Sequence, residues 1–302
     1  MITSRDNTPN YSKVVNTAGV PHRSPFRYPG GKTWFVPFFR EWVKSLERRP
    51  RELVEPFAGG GIIGLTAVAE NLVDKVTLCE IDPDVAAVWE TMLGEDVEWL
   101  INRILGFQIS RQSVISELKK VAKSRRSRAF QALLRNRVQR GGIMAPGAAL
   151  VKNGENGKGV ASRWYPETLA RRIRDIIHFR ERISFVNGDG IQLIRKFARR
   201  KTAAFFIDPP YTASGKRAGR RLYSCSELDH DELLRRAASV SGSALMTYDD
   251  TSEITNSALR HGLSIEYVPM KNTHHAVVCE LAISNRGRCR SPERIEQLRL
   301  AL

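Results

Sequence analysis

In Asp208-Pro209-Pro210-Tyr211, residue type and spacing point to a definite chemistry. The stretch directly follows an apolar run, Ala203–Ile207, that reads as a buried strand. Two consecutive prolines lock the backbone and remove two N–H donors. The edge they form therefore presents acceptors, the Asp208 carboxylate and the Pro209 carbonyl, with Pro210 fixing the turn and Tyr211 adding a flat aromatic face. Such an edge suits a planar ligand with an –NH2 group. Two acceptors can take its two N–H bonds, favour a pyramidal nitrogen and expose a lone pair that conjugation otherwise withholds. The implied reaction is direct displacement by an amine nitrogen, driven by positioning and electrostatics, with no covalent enzyme intermediate.

A second constellation lies upstream. Phe57-Ala58-Gly59-Gly60-Gly61-Ile62-Ile63-Gly64 follows a strand-like run, and its glycines at 59, 61 and 64 fit G-x-G-x-x-G. Glycine there permits a tight strand-to-helix turn and close approach of a ligand to the backbone. Glu80-Ile81-Asp82 closes the next strand about twenty residues on, where a carboxylate can accept hydrogen bonds from ribose hydroxyls. This pattern signals a nucleoside and does not by itself separate a dinucleotide from S-adenosyl-L-methionine. Glu55-Pro56-Phe57 favours the latter, because a carboxylate beside the glycines attracts an ammonium and a sulfonium but repels a pyrophosphate. Further upstream, Gly30-Gly31 gives a tight turn, and the helix starting near Thr33 can use its free N–H groups and Lys32 to hold a ligand carboxylate.

These residues need a scaffold. Short apolar runs at Glu52–Phe57, Val76–Ile81, Ile183–Val186, Ala203–Ile207, Ala244–Tyr248, Ile265–Val268 and Val277–Ile283 read as strands. Amphipathic segments at Ile62–Asn71, Pro83–Ile101, Gly190–Arg199, Asp229–Ser239 and Glu253–His261 read as helices between them. Strands alternating with helices imply an α/β fold with a mostly parallel, doubly wound sheet. Only Pro269 to Ala276 separates the last two strands, too short for a helical crossover, so an antiparallel C-terminal hairpin is expected.

The alternation breaks between 102 and 180. Ser110–Arg140 and Pro166–Arg180 read as helical, and Gly141–Lys158 as a glycine-rich loop. The expected division is a flexible tail over 1–24, a catalytic domain over 25–101 and 181–285, a mainly helical insertion over 102–180, and a basic tail or helix over 286–302.

Charge follows this division. The chain has 302 residues and a net charge of +16. Residues 1–100 carry 11 Lys and Arg against 14 Asp and Glu, residues 101–180 carry 18 against 4, and residues 181–302 carry 19 against 14. The insertion thus holds nearly all the excess, the footprint expected for a polyanion. Lys216, Arg217, Arg220 and Arg221, after the Asp208 loop, are placed to grip phosphates.

Four cysteines without C-x-x-C spacing suit a reduced, cytoplasmic protein, and the N-terminus has no apolar signal core. No apolar run is long enough for a membrane span. His274-His275, adjacent on a strand or hairpin, would point to opposite sides, so no metal is expected.

Together these motifs resemble the DNA adenine methylase (Dam-like, class alpha) family in order: cofactor region, target-recognition insertion, catalytic region. The likeness runs from about Phe26 to Ile283. It rests on Arg27-Tyr28-Pro29-Gly30-Gly31-Lys32, on Glu55-Pro56-Phe57 with the glycine loop, and on Asp208-Pro209-Pro210-Tyr211.

The resemblance implies a Rossmann-like, S-adenosylmethionine-dependent fold and methylation of the N6 amine of an adenine flipped out of double-stranded DNA. It places Tyr28 and Lys32 against the cofactor, Gly59 and Gly61 under its methionine end, Glu80 at the ribose and Asp189 near its adenine ring. Asp208 and Tyr211 become catalytic, and the segment around Arg135-Asn136-Arg137 has a part in target reading. Arg125, Arg126, Arg128, Arg140 and Arg163 join it as DNA-contact candidates.

Two features depart from the family. Glu80 stands where Asp is common, and the stretch after Arg137 does not look like the GATC-reading hairpin, so no target sequence follows. Cytosine N4 and RNA bases share the two-acceptor logic. An NAD-linked oxidoreductase explains neither the Asp208 loop nor the basic insertion, and an inactive DNA-binding module should have lost Asp208 or the glycines. One methyl group per binding event suits a monomer with no obligate protein partner, in a bacterial cell or a phage-infected host. A restriction partner, a phage genome and an orphan role all remain open.

Overall fold

The computed structural model describes residues 17, 19–27, 31–144, 148–210, 228–271 and 277–286. Seven strands form one sheet: β1 (Glu52–Glu55), β2 (Lys75–Glu80), β3 (Ile183–Asn187), β4 (Ala203–Ile207), β5 (Ser243–Asp249), β6 (Ser264–Lys271) and β7 (Val277–Ser284). Their order is β3-β2-β1-β4-β5-β7-β6. The first five run parallel, while β7 is antiparallel to both β5 and β6. The expected hairpin is there, but its second strand inserts beside β5 and leaves β6 at the edge. This is a Rossmann-like α/β fold, a mostly parallel, doubly wound sheet closed by an antiparallel C-terminal pair.

The central strands are buried from end to end because helices cover both faces. Neighbouring side chains serve opposite layers. Leu53 and Phe206 face one layer, made by α1 (Val36–Ser45), α2 (Ile62–Ala69) and α3 (Pro83–Leu93). Val54 and Phe205 face the other, made by α8 (Gly190–Phe197) with the helices His230–Ser239 and Ser252–Arg260, α9 and α10. Strand order reverses between β1 and β4, and the carboxyl ends of a doubly wound sheet open a crevice at that point.

The single helix expected over Pro83–Ile101 is two, α3 and α4 (Val97–Leu105). Gly94 caps α3 in an extended conformation, and glycine gains little from continuing a helix. Ser110–Arg140 likewise splits into α5 (Arg111–Lys119) and α6 (Arg125–Val138), each opened by a serine capping box.

The insertion packs directly on the sheet's helices. Phe130, Phe107 and Trp164 meet edge to face at 5.2–6.3 Å, and their cluster runs on into Trp89 and Met92 of α3. The insertion, completed by α7 (Pro166–Ile177), therefore shares one core with the first half of the sheet. The expected tail over 1–24 is also docked at its end. Val20 and Ser24 are buried, and the Arg172 guanidinium donates to the Ser24 carbonyl at 3.0 Å.

Cys79 and Cys279 are free thiols, while Cys225, Cys289, His274 and His275 lie outside the described residues. Among the described residues no cluster of His, Cys, Asp and Glu could hold a metal, and no helix is long and apolar enough to cross a membrane.

Candidate active site

One cleft of about 1010 Å³ opens at the switch point. The ends of β1, β2, β3 and β4 line it with Glu55, Gly59–Gly61, Glu80–Asp82, Asp189 and Asp208. The insertion supplies the facing wall through Arg137, Gly142, Arg163 and Tyr165. The two sequence constellations, some 150 residues apart, thus share one space.

The glycine loop is held from three sides. Gly61 adopts φ +63°, and a Cβ there would fall 2.7 Å from the Trp89 ring. The Trp89 indole N–H donates to the Gly59 carbonyl at 2.9 Å. The Glu80 carboxylate accepts the backbone N–H of Gly59 at 2.9 Å, Ile81 at 2.9 Å and Asp82 at 3.0 Å. It latches the loop to the end of β2, and the ribose contact implied by the resemblance falls on the same carboxylate. Burial raises its pKa against these N–H groups. Asp189 caps α8, accepting the Ile191 N–H at 2.7 Å, and lines the cleft beside the exposed Ile81.

Glu55 is buried on β1 and accepts the Gly64 N–H at 2.8 Å. Burial pushes its pKa up to about 8, with the nearby Asp208 charge adding and the Gly64 N–H opposing. Pro56 and Phe57 carry the chain from there into the glycine loop, and Phe57 lines the cleft. A buried carboxylate this reluctant to ionise is ready for a cation.

Asp208 sits at the end of β4 with Pro209 buried behind it. Its Oδ1 accepts the Thr247 hydroxyl at 2.7 Å and meets the Lys32 ammonium at 3.0 Å. Lys32 also reaches Glu280 on β7 at 3.3 Å. Sequence reasoning gave Lys32 a ligand carboxylate; the structure gives it two protein carboxylates. The cause is packing: Phe35 and Phe39 pack against Phe206 of β4, tilted at 5.8 Å and edge to face at 6.0 Å, which sets the turn before α1 over the strand end. Burial works against the Lys32 charge, yet Asp208 and Glu280 outweigh it and raise its pKa.

Thr247 and Glu280 were missed in the sequence. Glu280 had a signal, a lone carboxylate in the apolar run Val277–Ile283.

The insertion residues divide. Asn136, a DNA-contact candidate, is fully buried and cannot reach a duplex. Its amide accepts the Arg27 N–H at 2.7 Å and donates to the carbonyls of Arg27 at 2.9 Å and Gly142 at 3.0 Å. Arg135 pairs with Asp84. Arg137 is buried and bonds the Pro25 carbonyl; burial, with Arg172 and Arg27 nearby, brings its pKa down to about 9. Arg125, Arg126, Arg128 and Arg140 are exposed; Arg126 pairs with Asp96 at 3.1 Å and lies over the Trp99 ring, and Arg128 stands 4.0 Å from Asp84. Arg163 lines the cleft. Tyr28, Gly30, Tyr211, Lys216, Arg217, Arg220 and Arg221 lie outside the described residues, while Gly31 lines the cleft beside Lys32.

In this doubly wound sheet the glycine loop and the acceptor-rich strand end meet in one cleft, an arrangement suited to a nucleoside ligand beside an amine. In sequence, residues 28–138, about a third of the chain, match the model of the D12 class N6 adenine-specific DNA methyltransferases. That match bears out the resemblance over those residues.

No curated protein matches the chain in sequence. Among solved structures, TrmN from Thermus thermophilus aligns at 12% identity and a TM-score of 0.41, over 84% of this chain but only 48% of its own. The chain thus spans about half of TrmN. The rRNA methyltransferase aviRa from Streptomyces viridochromogenes aligns at 11% identity and a TM-score of 0.41, over 91% of this chain and 94% of its own. Likenesses this distant say nothing of substrate.

Proposed function

We propose that the protein transfers a methyl group from S-adenosyl-L-methionine to the N6 amine of an adenine flipped out of double-stranded DNA. The observation that carries this reading is the meeting of Glu55 and Asp208 in one cleft, within a chain whose residues 28–138 match the adenine-specific family.

The residues present fit the cofactor. Glu55 offers a buried carboxylate to a cation, Gly59–Gly61 allow close backbone approach, and Glu80 and Asp189 supply acceptors at the ends of β2 and β3. When bound, the cofactor supplies a sulfonium-activated methyl group.

The rest belongs to the protein. The Asp208 carboxylate and Pro209 carbonyl take the two N6 hydrogens and orient the nitrogen lone pair. Lys32 and Thr247 hold Asp208 in place through Oδ1. Tyr211 stacks on the flipped ring. Arg125, Arg128, Arg140 and Arg163, with Lys216, Arg217, Arg220 and Arg221, grip the backbone and bases around the target. Asn136 and Arg135 contribute by shaping the wall.

The test is transfer of labelled methyl from S-adenosyl-L-methionine into duplex DNA and into RNA, with Asp208→Ala beside the wild type. Incorporation into DNA is expected, with a loss on the order of 1000-fold in Asp208→Ala and cofactor affinity nearly unchanged. Incorporation into RNA alone, or full activity in the variant, contradicts the proposal.

A further inference from the structure

Methyl transfer to an amine leaves a proton to be disposed of. As the N6–CH3 bond forms from the nitrogen lone pair, the methyl–sulfur bond breaks and its electrons stay on sulfur. The product nitrogen then carries one hydrogen too many. Asp208 is the carboxylate proposed to touch that nitrogen, but a proton left there would spoil the acceptor for the next turnover. The structure supplies an onward route.

Lys32 is 3% exposed and bridges two carboxylates, Asp208 Oδ1 at 3.0 Å and Glu280 Oε2 at 3.3 Å. The first distance is within hydrogen-bond reach, and the second lies just beyond it, a gap that closure on substrate can tighten. Glu280 projects from an otherwise apolar stretch of β7 and is only 11% exposed. In register with it stand Asp249 on β5 and the apolar Val268 on β6. Among the described residues, the ionisable groups facing Glu280 are therefore Lys32, Asp208 and Asp249. Packing alone gives no reason for a carboxylate here, since an apolar residue would fill the strand at lower cost.

Resting on the proposed methylation, we infer that Glu280 is the terminal acceptor of the proton released from the substrate amine, delivered through Asp208 and Lys32. Asp208 takes the proton from nitrogen. Lys32 passes one of its three protons to Glu280 and recovers one from Asp208. The relay ends with Asp208 ionised, Lys32 charged and Glu280 neutral. Charge balances, because the positive charge lost at sulfur is matched by the negative charge lost at Glu280. Glu280 is suited to take a proton near neutral pH: burial, with Asp208 and Asp249 adding and Lys32 opposing, brings its pKa up to about 7. Glu280 touches neither nitrogen nor cofactor, so it is a relay and positioning residue.

Glu280→Gln keeps the size of the side chain and removes its basicity. Single-turnover methylation by the wild type should rise with pH as Glu280 ionises near neutrality. In Glu280→Gln the rate at pH 8 should fall on the order of 100-fold and lose that rise, with cofactor and DNA affinity unchanged. The infrared difference spectrum between product and substrate complexes should show a protonated-carboxyl band in the wild type that Glu280→Gln lacks. A variant slowed equally at every pH, with the rise and the band intact, would show that Glu280 only braces Lys32 and would overturn the relay. Activity equal to wild type would overturn it too, leaving the methylation reading untouched. Failure of the wild type itself to methylate adenine would overturn both.

Discussion

Glu55 shows how one buried residue can link ligand binding to pH. The folded protein keeps its proton up to about pH 8, whereas the unfolded chain releases it near 4.5. The folded state thus binds more protons over that window, and the Glu55 contribution to stability falls as pH rises through it. A cationic cofactor needs the carboxylate form. Binding near pH 7 should therefore release a proton, and affinity should rise with pH up to about 8. Calorimetry in buffers of different ionisation enthalpy measures that release directly. Glu55→Gln should abolish the release and weaken binding; an unchanged proton count in the variant would remove Glu55 from the cofactor site. Asp208, Glu55 and Glu80 were legible from the sequence because each stands beside glycines or prolines at a strand end. The partners of Lys32 were not, because Asp208 and Glu280 lie far along the chain and only the packing of Phe35 and Phe39 on Phe206 brings them together.

At the scale of elements, the strands were easier to read than the helices. Continuous apolar runs located all seven strands, and the short final connection implied the antiparallel pair. That β7 would sit inside β6 was hidden, since hairpin length fixes direction but not which strand joins β5. Helix breaks at Gly94 and before Ser124 were obscured because the amphipathic pattern runs across them. Tertiary contacts also decide what Asn136 does. Its position among arginines suggested DNA, yet its side chain ties the segment before Lys32 to the turn at Gly142. Asn136→Ala removes the side-chain partner of three backbone groups, one buried and two half-buried, and should cost about 2 kcal/mol, read as a lowered midpoint in chemical denaturation. A loss below half of that would mean the Arg27 segment is held by other interactions, such as Arg137 on the Pro25 carbonyl.

Across the whole molecule, the fold sets charge and cleft apart. The acidic first hundred residues build the pocket floor, while the basic insertion, sharing their core, forms its opposite wall and outer surface. Composition alone made that asymmetry visible; its placement across one cleft required the structure. Neutralising Arg125, Arg126 and Arg128 together should weaken DNA binding and lower the salt-dependence slope by about one for each phosphate that no longer meets an arginine. An unchanged slope would assign the start of α6 to solvent and to the Asp96 and Trp99 interactions that Arg126 makes.

The central claim, that this cleft methylates adenine at N6 in DNA, is tested most directly by the chemical identity of the product. Duplex DNA treated with the protein and S-adenosyl-L-methionine should be digested to nucleosides and separated by mass. N6-methyladenine, absent when Asp208→Ala replaces the wild type, is the result predicted. N4-methylcytosine, or no methylated nucleoside at all, would contradict it.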